Sequence, residues 1–343
     1  VVRPQYGLSG ADIVFEYEAE GGVTRFAALY RSQSPGKVGS IRSARLVDLE
    51  LVEMFEALLA YSGSNEWVWQ YILDSDWRWR AISPHLQNYP CPTFCRYEED
   101  GLAFEHTLFG DTDGIWEEAE KIDVNQGYQA VGLAFSEEPD PGGEMANDIF
   151  IDWYHETEET RWQYNPEDNR YYRWDGGLPH IDAATGEQLS VDNLIVLEVY
   201  HVDRPEVYSG YAGIALEHTI WGYARAFVFR DGRWYQGWWY RNRDYGSLQL
   251  RYDHRDRQSP MRLRPGQSWI TIVRKLDPYA TSGPLFSVTV SEEKVDAVAT
   301  AQSVEATQTT AAIATATQYV EFYGTPQPGW PTWTPTSESD NSE

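Results

Sequence analysis

Glu16, Glu18 and Glu20 recur at every second position, and Arg25 follows them across Gly21-Gly22. In a strand this spacing puts all three acids on one face. A two-residue glycine turn predicts Arg25 opposite Glu18, with Glu16 and Glu20 on the diagonals. Carboxylates crowded around one cation separate their pKa values, and one of them can then act as general acid or base. His85, in a loop after Pro84, is the candidate partner. The commoner arrangement for these residues is a cross-strand ion pair on a wet face, worth well under ~1 kcal/mol.

A second constellation suits anions. Arg42, Ser43 and Arg45 stand at or just before a predicted helix start, where free backbone N–H groups favour negative charge. Ser62, Gly63 and Ser64 occupy a second strand-to-helix junction. Arginines at such junctions grip carboxylate or phosphate in bidentate fashion. The other reading is that Ser43 caps the helix and the arginines pair with Glu16, Glu20 or helix acids.

Aromatic pairs form a third set: Trp67/Trp69, Trp77/Trp79 and Trp238/Trp239 beside Tyr240. They can stack on sugar rings or pack a core, and packing is the commoner use. His180-Ile181-Asp182, His201-Val202-Asp203 and Asp111-Thr112-Asp113 match no zinc or calcium spacing, so no metal is expected. No nucleophile elbow, phosphate loop or dinucleotide fingerprint occurs, so no cofactor is expected.

These residues need elements to hold them. Residues 12–20 alternate, with Ile13, Phe15, Tyr17 and Ala19 on one face and the acids on the other, which predicts a half-buried strand returning through 23–31. Ser40 or Ser43 caps a predicted helix over 44–58. A short strand over 58–61 and helices over 66–73 and 116–122 follow. Beyond Pro139-Asp140-Pro141-Gly142-Gly143, only strands are predicted: 149–154, 161–164, 171–174, 194–202, 223–229, 234–240, 248–252 and 269–273. The expected fold class is therefore α+β. A mixed α/β domain over 1–143 precedes an antiparallel β-rich domain over 144–276. From 277 a Thr/Ser/Pro-rich tail is expected to be disordered.

Composition narrows the function. The 343-residue chain carries a net charge of −26. Between Arg96 and Thr160, 19 acids face 2 basic residues, which repels phosphate backbones and argues against a nucleic-acid partner. Between Gly222 and Lys275 the balance reverses to 12 basic residues against 4 acids. No apolar run reaches the ~18 residues of a membrane-spanning helix. The chain starts at Val1, as after removal of a signal segment or in a fragment. Cys91 and Cys95 form a local disulfide if the loop brings their Cα atoms within about 7 Å, and are otherwise two free thiols.

Several runs together resemble a known family. They are Arg3-Pro4-Gln5-Tyr6-Gly7-Leu8-Ser9-Gly10-Ala11-Asp12-Ile13-Val14-Phe15-Glu16, Glu20 to Phe26, and Gly39 to Arg45 in the first half. In the second half they are Tyr164 to Glu167, Tyr172 to Asp182, Asn193 to Val196, Phe229 to Trp234 and Leu263 to Ile270. Over about residues 3–275 the chain resembles the YerB-like family of bacterial lipoproteins, whose biochemical activity is unassigned. The resemblance implies an exported, envelope-associated protein and supplies no catalytic residues. Members usually carry an apolar strand and a lipoprotein signal before the Arg-Pro-Gln run. Both are missing here, so the first-domain sheet is expected to lack a strand, and a lipid anchor is expected of a full-length form and not of this chain. The leading expectation is an extracytoplasmic protein that binds an anionic or carbohydrate-containing ligand, or a cell-wall or envelope partner, through Arg42, Ser43, Arg45 and residues 62–64. The alternative is an envelope hydrolase or transferase using Glu16 or Glu20 with Arg25 and His85. A purely structural module that docks a partner protein is the third reading.

Overall fold

The structure is a computed structural model, and it describes residues 4–97, 103–125, 132–153, 159–208, 213–243, 246–277 and 279–289. The first hairpin joins β1 (Ile13–Ala19) to β2 (Val23–Leu29). Its register runs from Ile13 opposite Leu29 to Ala19 opposite Val23. The connection is thus three residues, Glu20 to Gly22, and not the two-residue turn expected. Gly21 and Gly22 both take positive φ, at 77° and 69°, and Glu20 falls outside the ladder. A one-residue slip moves every side chain to the other face. Arg25 therefore faces Tyr17, and Thr24 faces Glu18.

Three α-helices follow among the described residues: α1 (Leu46–Phe55), α2 (Glu66–Asp74) and α3 (Thr112–Lys121). Asn65 caps α2 and Asp111 caps α3, each accepting from a backbone N–H of the first turn. The helix start at α1 differs from expectation. Neither serine caps it; Asp48, in its first turn, accepts the Arg45 N–H at 2.7 Å.

Strands of the two largest sheets include β3 (Asp148–Asp152), β4 (Thr160–Asn165), β5 (Arg170–Asp175), β6 (Asn193–Glu198), β7 (Gly222–Arg230), β8 (Arg233–Arg241), β9 (Gln249–Arg251), β10 (Ser268–Val273), β11 (Tyr279–Ser282) and β12 (Leu285–Thr289). The main sheet runs β2-β1-β10-β6-β7-β8-β9. Its centre is parallel, since β10 runs parallel to both β1 and β6, and the outer pairings are antiparallel. Central parallel strands are covered on both sides and so read as continuous apolar runs. Leu194-Ile195-Val196-Leu197 and Trp269 to Val273 are such runs, wholly buried. A second sheet places β5-β4-β3-β12-β11 in order, with β3 and β12 parallel.

Two cores result. Val14, Leu194, Val196, Phe227, Phe229 and Trp269 on one face of the main sheet pack with Ile149, Trp162, Tyr171 and Phe286 of the second sheet. Phe15, Tyr17, Ile195, Val228 and Ile270 on the other face pack with Val47, Leu51 and Met54 of α1. Burial on this scale stabilises by roughly 1.5–3 kcal/mol per large side chain. β1 is therefore covered on both faces and not half-buried as expected. The division expected at 143/144 separates sequence segments but not sheets: β1 and β2 extend the sheet built by later strands, and residues 1–292 pack as one unit.

The segment expected to be a disordered tail also needs correction. Residues 279–289 form the β11–β12 hairpin, with Phe286 and Val288 fully buried; the remainder, 290–343, lies outside the described residues. Cys91 and Cys95 form a disulfide, with Cα atoms 5.0 Å apart.

Candidate functional site

The three acids of the opening strand do not surround Arg25. Each has its own arginine from elsewhere. Glu18 accepts from Nε and Nη2 of Arg274, at 2.8 and 2.9 Å. Glu20 accepts from Arg45 Nε at 2.6 Å. Glu16 is fully buried and accepts from Arg173 at 2.7 Å, Trp269 Nε1 at 2.8 Å and Thr24 Oγ1 at 3.2 Å. Burial raises the Glu16 pKa, and the Arg173 charge opposes that rise. The carboxyl is fully buried and does not line the cleft described below. His85 stands elsewhere, its ring edge-on to Trp69 and its side chain facing Gly63.

Glu16 instead anchors a joint between the two halves of the sequence. Arg173 also binds Asp175 at 2.9 Å and touches His180 Nδ1, while the rings of Phe26, Trp162 and Trp269 enclose its guanidinium. His180 Nε2 meets Gln5 Oε1 at 2.6 Å. Asp182 accepts the N–H groups of Gly7 and Ser9, both at 2.8 Å, and the Ser9 hydroxyl. The Arg-Pro-Gln run and the Tyr172 to Asp182 run are thus the two sides of one joint. The first His-x-Asp spacing is structural. The third, Asp111 to Asp113, caps α3 and binds Ser34. At the second, the His201 ring meets the His218 ring edge-on with centroids 4.3 Å apart, and no third metal ligand gathers there among the described residues.

The aromatic pairs separate. Trp239 is buried with its N–H on the Glu198 carbonyl at 2.7 Å, while Trp238 is half-buried against Tyr223 and His254. Trp67 and Trp79 are exposed. Trp77 is half-buried and donates to Glu53 at 3.3 Å.

The two strand-to-helix junctions do meet. Ala44 N–H donates to the Gly63 carbonyl at 2.9 Å, and Ser62 N–H donates to the Arg42 carbonyl at 3.0 Å. Arg45 turns inward, holding Glu20 and the carbonyls of Ser43 and Ala44. The Ser64 hydroxyl is buried without a hydrogen-bond partner. Arg42 reaches the Glu105 carbonyl at 3.0 Å and the His106 ring.

Beside these junctions lies a cleft of about 1230 Å³, walled by β2, by residues 38–44, by one side of α1 and by residues 55–61. Ser43 lines it; Arg45 and residues 62–64 do not. Four arginines line it: Arg25, Arg31, Arg42 and Arg80. None of the four has a carboxylate within ion-pair distance among the described residues. Arg31 stacks over Trp116, and Arg80 donates to the Glu56 carbonyl at 2.8 Å. Arg25 is half-buried, and its Nε has no partner. Burial, together with the nearby Arg45 charge, lowers its pKa to about 10. Tyr61, also lining the cleft, is 2% exposed with an unpartnered hydroxyl, and burial raises its pKa to about 12. Asp48, which also lines the cleft, accepts from the Tyr17 hydroxyl at 2.7 Å and from the Arg45 N–H at 2.7 Å. Sequence reasoning missed Arg31, Arg80, Tyr61 and His106 because no local motif frames them and only the fold gathers them.

A family model described as "Protein of unknown function (DUF3048)" matches as its N-terminal domain over residues 1–125 and as its C-terminal domain over 149–270. The chain is 25% identical over 305 residues to the Bacillus subtilis protein named "Putative lipoprotein YerB", covering 82% of this chain and 80% of that relative. The crystal structure of YerB protein from Bacillus subtilis superposes with a TM-score of 0.66 at 24% identity, over 80% of this chain and 87% of that one. The chain therefore belongs to the YerB-like DUF3048 family, whose function is unknown.

Proposed function

We propose that this is an extracytoplasmic, envelope-associated binding protein whose cleft takes an anionic ligand, with Arg25 and Arg42 as the gripping residues. Ser43 supplies a hydroxyl, and Arg45 with residues 62–64 holds the wall in place. The observation that carries this reading is four cleft arginines without a carboxylate partner in a chain of net charge −26. Most arginines of the β-rich half are ion-paired. A half-buried guanidinium without a counterion favours uptake of a carboxylate or phosphate, because charge-assisted pairs in a partly dry site are the stronger ones. The relative's name supports an envelope setting, and no described helix is long and apolar enough to cross a membrane.

Co-sedimentation with isolated cell-wall sacculi tests the reading, comparing wild type with Arg25→Ala/Arg42→Ala. Saturable binding by the wild type, weakened by salt and lost in the double variant, is expected. Equal sedimentation of both proteins would remove the cleft from the account.

A further inference from the structure

A two-stranded ribbon, Tyr200–Tyr208 with Ile214–Thr219, pairs only with itself among the described residues. Its second strand leans on β1 and α1. A lone pair of strands is marginal in water and depends on what it packs against. Few of its side chains supply that packing. Val207, Ala215, Leu216 and His218 are buried, while Asp203, Pro205, Glu206 and Ile214 are exposed. Val207, Ala215 and Leu216 belong to neither core of the main sheet, so the ribbon can leave with both cores standing.

One of its few anchors is thus an imidazole, the side chain whose charge changes between about pH 5 and 8. His218 stands directly opposite His201 in the ladder, with the two rings in contact. The Tyr17 ring of β1 meets His218 edge-on at 5.5 Å. His201 Nδ1 donates to the Val199 carbonyl at 2.6 Å, so an added proton goes to Nε2, which is buried without a partner. Both His218 nitrogens are also buried and unpartnered, with the Glu18 backbone nearby. The charges around the pair offer no counter-ion. Glu18 holds Arg274, Asp48 holds the Tyr17 hydroxyl and the Arg45 N–H, and Glu50 of α1 holds Arg241. Glu53 of α1 accepts from Trp77. On the ribbon, Glu217 pairs with Arg204, and Asp203 is exposed. The Arg274 charge disfavours a second cation beside it. Two imidazolium rings would repel as like charges directly opposite in a strand pair do, and each would be a charge buried without a counter-ion.

We propose that this histidine pair is an acid-operated latch: it holds the ribbon on β1 and α1 near neutral pH and releases it, with the rest of the fold intact, in acid. Burial lowers both pKa values, that of His201 to about 4. The closed ribbon is therefore fully favoured above pH 6.5, and that advantage is lost as pH falls toward 4. The latch requires neither the cleft nor its ligand.

Hydrogen exchange of the whole chain between pH 8 and pH 4.5, corrected for the intrinsic exchange rate at each pH, tests the latch. The opening equilibrium of the ribbon amides should rise about hundredfold or more between pH 6.5 and 4.5, because opening takes up as many as two protons. Amides of β6 and β10 should stay protected over that range, and ribbon protection should return at pH 8. Loss of protection in the ribbon, β6 and β10 together would make the acid response global and overturn the latch. A ribbon whose protection does not change with pH would also overturn it. Both outcomes need only the wild type, so a variant that fails to fold leaves the test intact. In His201→Phe/His218→Phe the rise should disappear; its persistence in the folded variant contradicts the proposal. Glu217→Gln, which removes the Arg204 partner on the ribbon, should keep the rise. Loss of the rise there would move the sensor to that ion pair and overturn the latch.

Discussion

Arg173 and Arg25 sit near the same hairpin and have opposite surroundings. Arg173 is fully buried, bound to Glu16 and Asp175, and enclosed by three aromatic rings. Arg25 is half-buried, unpaired, and close enough to Arg42 and Arg45 for their charges to lower its pKa. A buried charge with satisfied partners fixes a fold, and removing one partner leaves the other stranded. A desolvated charge without a partner is a cost to the folded state, one that a ligand of opposite sign can offset. The difference separates the joint, where every charge near Arg173 is matched, from the cleft proposed to take a ligand.

The largest expected effect lies in the joint. Arg173→Ala should lose about 3–5 kcal/mol in urea unfolding, because Glu16 is left buried and uncompensated. Replacing both partners, Glu16→Leu with Arg173→Met, should recover much of that loss. If the single variant unfolds like wild type, the joint is not what holds the halves together. Asp182→Ala comes next, at about 1–3 kcal/mol for each buried donor it abandons among Gly7 N–H and Ser9 N–H.

Acid should act through a third place. His201 has its pKa lowered to about 4 and His218 is pushed well below 6.5, both chiefly by burial. Both are neutral in the folded protein at pH 7. As pH falls below 6.5 the unfolded chain takes up protons first, so stability falls toward pH 4, by up to about 1.4 kcal/mol per pH unit for each histidine. His218→Phe should flatten that slope while leaving stability at pH 8 closer to wild type. An unchanged slope would assign the acid sensitivity to other groups.

Much of the architecture was legible in the sequence. The helices over 44–58 and 66–73 and the eight strands after residue 148 emerge near their expected places, because local periodicity and turn residues determine them. The main sheet's order was not legible, since parallel pairing of β1 with β10 joins residues more than 250 apart. The site was half legible. Arg42 and Ser43 were visible as residues before a helix, and both line the cleft. Arg25 was assigned to the wrong face because one residue of turn length, Glu20, inverts the whole strand. Glu16 read as a wet surface acid because its partner, Arg173, lies 157 positions away.

The smallest expected change in stability tests the central claim most directly: urea unfolding of Arg25→Ala/Arg42→Ala with no ligand present. Cleft arginines that serve a ligand and not the fold should leave stability within about 1 kcal/mol of wild type, or raise it as like-charge repulsion with Arg45 is relieved. A loss comparable to that of Arg173→Ala would contradict the account, because the cleft arginines would then be structural like the joint.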